Sequence, residues 1–215
     1  MTKFLIVRHG ETLWNREHRI QGQGNSELSS VGLRQAVAVA QRLAQRRCTR
    51  LVSSDLGRTV QTAQPIAAAT GLALETDAGL RERAFGVFEG LVPDQIRARY
   101  PEDHVRWQAR EPAHVIPGGE SLVQLRERVR GCLEALARDQ AHQSAGAEAG
   151  AVIVVTHGGV LDALYRIAAE VAPDAPRTWH LLNASVNQIS VGVRGWQLGA
   201  WGDISHLPAA EDDFG

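Results

Sequence analysis

Three short stretches of this 215-residue chain place arginine, histidine and glycine directly after a β-branched apolar run. Phe4 to Val7 leads into Arg8-His9-Gly10-Glu11-Thr12, and Leu51 to Ser53 leads into Ser54-Asp55-Leu56-Gly57-Arg58. Ala151 to Thr156 leads into His157-Gly158-Gly159. Runs of this length, bounded by polar residues or glycine, read as buried strands of a mostly parallel sheet. Open sheets of that kind bind ligands beyond the carboxyl ends of their strands, and neighbouring strands lie about 4.8 Å apart. Two arginines and two histidines are therefore expected at one edge, close enough to converge on a single small anion. Guanidinium forks match phosphate oxygens, and a helix opening at Gly158 adds unpaired N–H groups. With no nucleotide-type glycine motif, the combination points to a phosphoryl group. Taken singly, each element has a plainer reading: a strand-ending histidine as a satisfied core residue, Arg58 as a partner for Asp55.

The elements that must position these residues alternate between strand and helix. Leu33, Ala36, Val37, Ala40, Leu43 and Ala44 recur at helical spacing behind a capping Ser29 or Ser30. Ser121-Leu122-Val123-Gln124 reads as a capping box that opens the longest helix, which runs to about His142 before a small-residue loop, Ser144 to Gly150. A further helix runs from Gly158 to Ala168, and Pro65 predicts a kink or a late start in the helix after Arg58. Val186–Val193 and Trp196–Ala200 read as a hairpin turned at Arg194-Gly195. The alternation implies an α/β fold, a mostly parallel sheet flanked by helices on both faces with right-handed crossovers. Residues 85–120, carrying Pro93, Pro101, Pro112 and Pro117 with Phe85, Phe88, Tyr100 and Trp107, break the pattern. They read as a small helical and loop cap inserted into a single domain spanning 1–215, with a frayed acidic tail at 209–215.

Composition narrows the chemistry further. With 44% hydrophobic and 22% charged residues and a net charge of −1, the chain is globular in character and lacks the basic footprint of a nucleic-acid or acidic-membrane binder. Its 23 cations are 22 arginines and Lys3, which sits before the first apolar run. That excludes a P-loop lysine and a Schiff-base lysine. Cys48 and Cys132 make no disulfide framework, zinc ribbon or C-x-x-C pair, and Cys132 lies on the apolar stripe Leu125, Val129, Leu133, Leu136. The first ten residues are too short in apolar run for a signal peptide, no stretch reaches a membrane span, and a cytoplasmic setting is expected.

The ordered motifs resemble those of the histidine phosphatase superfamily, the group of cofactor-dependent phosphoglycerate mutases and broad-range phosphatases. They are Arg8-His9-Gly10-Glu11-Thr12 with Trp14-Asn15, Gln21-Gly22, Leu28-Ser29 with Gly32, Ser53-Ser54-Asp55-Leu56 with Arg58, and Leu80 with Glu82, Gly86 and Glu89-Gly90. Pro117-Gly118-Gly119-Glu120-Ser121, Thr156-His157-Gly158-Gly159 and His206-Leu207 complete the set. The resemblance implies a phosphoglycerate mutase-like fold and a phosphohistidine on His9, whose other ring nitrogen must donate to a fixed acceptor. Arg8 and Arg58 would clamp the phosphoryl oxygens, His157 would stabilise charge on the transferring group, and Glu82 would be the general acid. Asn15, Gln21, Gly22 and Gly158 match phosphate contacts. Glu11 is read as structural and Trp14 as packing. His104 or His114 could reach substrate from the cap, where Arg97, Arg99, Arg106 and Arg110 could meet acidic substrates.

No metal and no cofactor are implied, and the expected partner is a small phosphorylated substrate, with a homodimer left open. The mutases carry an arginine- and lysine-rich segment after the acid glutamate that Leu80–Gly90 lacks, which favours hydrolysis. A cofactor-dependent mutase and an inactive phospho-ligand binder stand as alternatives. Asn25-Ser26-Glu27 departs from a stretch where the family commonly has aspartate and proline.

Overall fold

The computed structural model describes residues 1–143 and 150–207. The expected tail at 209–215 and the loop residues 144–149 lie outside the described residues. Six strands form one sheet: β1 (Thr2–Arg8), β2 (Cys48–Ser53), β3 (Leu74–Thr76), β4 (Ala151–Thr156), β5 (Val186–Gly192) and β6 (Gly195–Leu198). Their order is β3-β2-β4-β1-β5-β6. The first four are parallel, and β5 and β6 add an antiparallel edge. The helices are α1 (Leu13–Arg16), α2 (Ser30–Ala44), α3 (Gly57–Thr70), α4 (Pro93–Arg99), α5 (Pro101–Gln108), α6 (Leu122–Gln143) and α7 (Gly158–Ala168).

The strands read as unbroken apolar runs because both faces are covered. Phe4, Ile6, Val152 and Val154 pack under α6 and α7 through Leu125, Val129, Leu133, Leu161 and Leu164. Leu5, Val7, Leu51, Ile153 and Val155 pack on the opposite face against Val39, Ala40 and Leu43 of α2 and Ala63 and Ile66 of α3. Alternation along each strand thus feeds two separate cores.

The helix starts follow local chemistry. Ser29 is the cap of α2, its side chain accepting from the Gly32 N–H. Ser121 and Gln124 form the reciprocal capping box ahead of α6, at 2.8 and 3.1 Å. Some expectations need correction. α3 starts at Gly57 and runs through Pro65 to Thr70, so the late start does not occur. Burial of Arg58, Thr59, Thr62, Ala63 and Ile66 in that helix outweighs the lost N–H of one proline. The buried stripe of α2 is Ala36, Val39, Ala40 and Leu43, whereas Leu33 and Val37 are about half exposed on its flanks. Cys132 sits at the rim of the core and donates to Asp77 Oδ2 at 3.4 Å, and burial beside that carboxylate pushes its thiol up to about 12. The hairpin turns at Val193-Arg194, because Gly192 pairs with Gly195. β3 and α1, three and four residues long, carry too little periodicity to be read in advance.

Residues 85–120 form a small cap in which Phe88, Ile96 and Ile116 are fully buried among Ile20, Phe85, Leu91, Tyr100 and Trp107. Its attachment to the sheet layer includes an ionic cluster. Arg110, in the left-handed region at φ 54° just past α5, donates to Asp162 Oδ2 of α7 at 2.7 Å and to the Pro173 carbonyl. Arg166 Nε donates to the same Asp162 oxygen at 3.0 Å. A glycine would suit that backbone better, so the arginine at 110 is explained by what its side chain reaches. Breaking a buried carboxylate–guanidinium cluster costs about 3 kcal/mol. Urea denaturation of Asp162→Asn should therefore show a loss of that order, while Asp94→Asn, from the exposed Arg97 pair, should leave the midpoint in place. Equal midpoints for Asp162→Asn and the parent chain would refute the role given to this cluster.

Candidate active site

Strand register decides which side chains meet. Arg8 pairs with Thr156 across β1 and β4, so the next residues, His9 and His157, leave the sheet side by side. Their ring centroids stand 5.4 Å apart. Ser53 pairs with Val155 across β2 and β4, which sets Ser54 beside His157. The structure thus gathers Arg8, His9, Arg58 and His157 at one sheet edge, as the strand ends imply.

His9 is 2% exposed, with Nδ1 2.8 Å from the Gly10 carbonyl. A carbonyl only accepts, so Nδ1 carries the proton and the lone pair of Nε2 is left free. The fixed acceptor that the sequence demanded is this neighbouring peptide. Burial, then Arg58 and Arg8, hold the imidazole well below its usual range, hence neutral.

Arg58 is 1% exposed. Its Nη1 donates to the Gly24 carbonyl at 2.8 Å, Nη2 to the Gly22 carbonyl at 2.7 Å, and Nε to His157 Nδ1 at 3.2 Å. Burial pushes this guanidinium down to about 10. Because His157 Nδ1 accepts, its Nε2 carries the proton and donates to Ser54 Oγ at 2.9 Å. Burial and the neighbouring arginine keep this imidazole neutral too. Both of its ring nitrogens are engaged, so in this arrangement His157 acts on Arg58 rather than offering a free N–H. Asp55 pairs with Arg81, at 2.6 and 2.7 Å, and not with Arg58.

Arg8 donates through Nη1 to the Leu181 carbonyl, while its buried Nε has no partner among the described residues and lies beside Gly158. Glu82 is held by two backbone donors, Arg83 N–H on Oε1 at 2.8 Å and Gly159 N–H on Oε2 at 2.9 Å. A Cβ at Gly159 would stand 2.2 Å from Glu82 Oε1, so only glycine lets the carboxylate rest on the α7 N-terminus. Arg128 of α6 anchors the same segment through the Gly79 and Arg81 carbonyls, both at 2.9 Å. Asn15 uses Oδ1 to accept from Thr12 N–H and Oγ1 and from Asn183 Nδ2, and its own amide N–H groups have no partner among the described residues. Gln21 is buried, and its Oε1 has no donor among the described residues.

Three groups of the site carry no role in the sequence reading. Ser54 fixes the His157 tautomer. Asn183 Nδ2 donates to the His9 carbonyl at 2.9 Å from the segment before β5. Glu89 accepts from the N–H groups of Gln23, Gly24 and Phe85 at 2.9–3.0 Å. It thereby sets the loop whose Gly22 and Gly24 carbonyls hold Arg58. Gly22, at φ +51°, lies so close that a Cβ would stand 2.1 Å from Glu89 Oε1. Glu89-Gly90 was visible as a motif; its contacts follow only from the fold.

Other candidates fall elsewhere. His114 is buried against Asp103 at 3.1 Å and His104 sits edge-on to Trp107. Arg97, Arg106 and Arg110 pair with Asp94, Glu111 and Asp162. Glu11 accepts from Ser29 Oγ at 2.6 Å, a structural bond, and Trp14 packs on Gly24. Among the described residues, no three His, Cys, Asp or Glu side chains group as metal ligands would, and no helix is long and apolar enough to cross a membrane.

Two predictions follow from this geometry. Unfolded histidine protonates near 6.5, whereas folded His9 stays neutral, so below that pH the unfolded chain binds the extra proton. The stability is present above about 6.5 and is lost as pH falls, by about 1.4 kcal/mol per unit for one such histidine. Chemical denaturation from pH 7.5 to 5.5 should give a shallower decline for His9→Gln by that amount; parallel curves would contradict a neutral buried His9. Glu89→Gln should weaken vanadate binding about tenfold, while Glu89→Asp recovers part of the loss. Unaltered vanadate affinity in Glu89→Gln would remove Glu89 as a positioning residue for Arg58.

The same geometry can be set beside known proteins. The histidine phosphatase superfamily (branch 1) matches residues 4–204. Phosphoglycerate mutase-like protein 4 of Arabidopsis thaliana is 40% identical over 211 residues, covering 95% of this chain and 86% of that protein. The metal-independent phosphoserine phosphatase of the same plant is 39% identical over 210 residues, covering 96% and 84%. A mycobacterial glucosyl-3-phosphoglycerate phosphatase, solved with VO3, superposes with a TM-score of 0.82 at 33% identity, covering 94% of this chain and 99% of that one. Sequence and fold agree: this chain belongs to the histidine phosphatase superfamily.

Proposed function

We propose that the chain is a metal-independent phosphomonoester hydrolase that transfers the phosphoryl group of a small phosphorylated metabolite to His9 and then to water. One observation carries the reading. A neutral His9 keeps a free Nε2 lone pair, the charges of buried Arg58 and half-buried Arg8 act on its ring, and the Gly10 carbonyl holds its tautomer. Attack by Nε2 forms the P–N bond as the P–O bond to the alcohol breaks, and Glu82 gives the alcohol oxygen its proton. Water then attacks phosphorus, Glu82 takes the water proton, and the P–N bond returns its electron pair to Nε2. Arg8 and Arg58 meet the charge spread over the equatorial oxygens, so positioning and electrostatics suffice. Asn15, through its unpartnered amide N–H groups, Gly22, Gly158 at the start of α7 and the buried Gln21 complete the phosphate shell, and His157 steadies Arg58 within it.

Hydrolysis is favoured over mutase action by the segment after Glu82. It closes at once into a tight turn at Gly86–Phe88, pinned by Glu89 on Phe85 N–H. No longer arginine-rich arm is present there to retain a released phospho-alcohol. The relatives named as phosphatases of phosphoserine and of glucosyl-3-phosphoglycerate support the same direction.

Purified protein with a chelator present should release phosphate from a panel of phosphomonoesters, and His9→Gln should abolish that release. Formation of 2-phosphoglycerate from 3-phosphoglycerate without phosphate release would make it a mutase instead. Glu82→Gln should slow alkyl phosphates about 100-fold and activated aryl phosphates far less, since only poor leaving groups need the proton. Equal losses on both ester types would sink the acid role.

A further inference from the structure

The Pro117–Ser121 turn makes no hydrogen bond to Arg8, His9, Arg58 or His157 among the described residues. It lies instead along the segment that carries Glu82. The Glu120 N–H donates to the Ala84 carbonyl at 2.8 Å, and the Val87 N–H donates to the Pro117 carbonyl at 3.0 Å. Arg83, buried next to the acid, donates through Nε to the Glu120 carbonyl at 2.7 Å. Ser121 then closes the turn by capping α6.

From Arg81 to Phe85 the backbone has neither helix nor strand to fix it. Its carbonyls are taken by a side chain from the second turn of α6. Arg128 Nη1 donates to the Gly79 and Arg81 carbonyls, both at 2.9 Å, and Nη2 donates to the Glu82 carbonyl at 3.4 Å. Glu120 holds the same guanidinium in plane, accepting from Nε on Oε1 at 2.9 Å and from Nη2 on Oε2 at 2.7 Å. A guanidinium presents its donors in one rigid fork, so fixing its plane fixes the carbonyls that it holds. The helix behind it is rooted in the core by Leu125, Val129 and Leu133. Three of the five hydrogen bonds of Arg128 thus go to the backbone leading to the acid. An ion pair that served stability alone would have no need of that segment.

We propose that Glu120 and Arg128 are a positioning pair for Glu82. They hold its backbone so that the carboxyl meets the leaving oxygen, and the Pro117–Ser121 turn ties that proton transfer to the seating of the cap. Neither side chain touches the substrate. The proposal rests on the phosphatase reading above and on Glu82 as its acid. Proton transfer is steep in distance, and a misplacement of about 1 Å costs on the order of 100-fold. The carboxylate itself has two backbone donors, Arg83 N–H and Gly159 N–H, and the first of these moves with the segment.

The test is a double-mutant cycle read on two ester types. Arg128→Met should lower kcat on alkyl phosphates about tenfold with KM unchanged, and should change aryl phosphates less than about twofold. Glu120→Gln keeps the backbone bonds of the turn but leaves the guanidinium one carboxamide oxygen, and should show the same pattern more weakly. In a Glu82→Gln background, where the acid is gone, adding Arg128→Met should cost almost nothing further. Aryl phosphate turnover shows that each variant has folded. Equal losses on both ester types, no loss on either, or an undiminished loss in the Glu82→Gln background would overturn the proposal. The amide resonance of Gly159, which donates to Glu82 Oε2, reads the seat of the carboxyl without turnover. It should move in Arg128→Met toward its position in Glu82→Gln, and an unmoved resonance would also overturn the pairing. A parent protein that hydrolyses no phosphomonoester while Arg128→Met still moves Gly159 would defeat the phosphatase reading and leave the hold on Glu82 standing.

Discussion

A guanidinium that is 1% exposed must find acceptors for its N–H groups, and the rest of the site is arranged around those of Arg58. The peptide carbonyls of Gly22 and Gly24 take its two terminal nitrogens, which requires the 22–24 loop to fold back over α3. The third acceptor is His157 Nδ1, and accepting there obliges the ring to carry its proton on Nε2 and to turn toward Ser54. The loop in turn needs its own exposed N–H groups gathered, which Glu89 does. One buried cation thus reaches across α3, β2, β4, the loop after α1 and the edge of the cap. It also explains why α3 tolerates Pro65: the helix must begin at Gly57 to carry Arg58 inward.

The same burial sets the electrostatics. Two arginines and two imidazoles crowd one edge of the sheet, and only the arginines bear charge. Protonating His9 beside Arg8 and Arg58 would add a third cation to a buried cluster, so the ring stays neutral with its Nε2 lone pair free. The nearby negative charges are those of Glu82 and Glu89, which both act on Arg58. Neither carboxylate neutralises the clamp by direct contact. Glu82 faces the α7 N-terminus and Glu89 faces the loop. The arginines are left with donors to offer, as the unpaired Nε of Arg8 shows. An anion that enters therefore completes hydrogen bonds that the protein itself has left open.

Much of this was legible from residue type and order. The strands β1, β2 and β4 are apolar without alternation because both faces are buried, and each ends on residues of the candidate site. The Ser29 and Ser121 caps and the hairpin were equally local signals. What could not be read was set by pairing at a distance. Leu33 and Val37 look like core residues in a helical projection, but the side of α2 that meets the sheet is centred on Ala36, Ala40 and Leu43. Arg58 and Asp55 are near in sequence, yet the fold turns Arg58 inward and gives Asp55 to Arg81. Asn183 touches the His9 carbonyl from 174 residues away, a distance at which no spacing rule operates.

The strand ends and the segments attached around them are held in different ways, and for a physical reason. The cluster of His9, Arg58 and His157 is built from strand ends and α3, where burial permits little change without loss of the fold. The cap and the segment before β5 are attached by a few defined contacts: Arg110 on Asp162 and Pro173, Trp179 on Tyr165, Leu181 on Arg8. Side chains between those anchors take no part in the β1–β4 register that brings His9 to His157. That separation suits a fold and family whose members are named for different phosphorylated substrates.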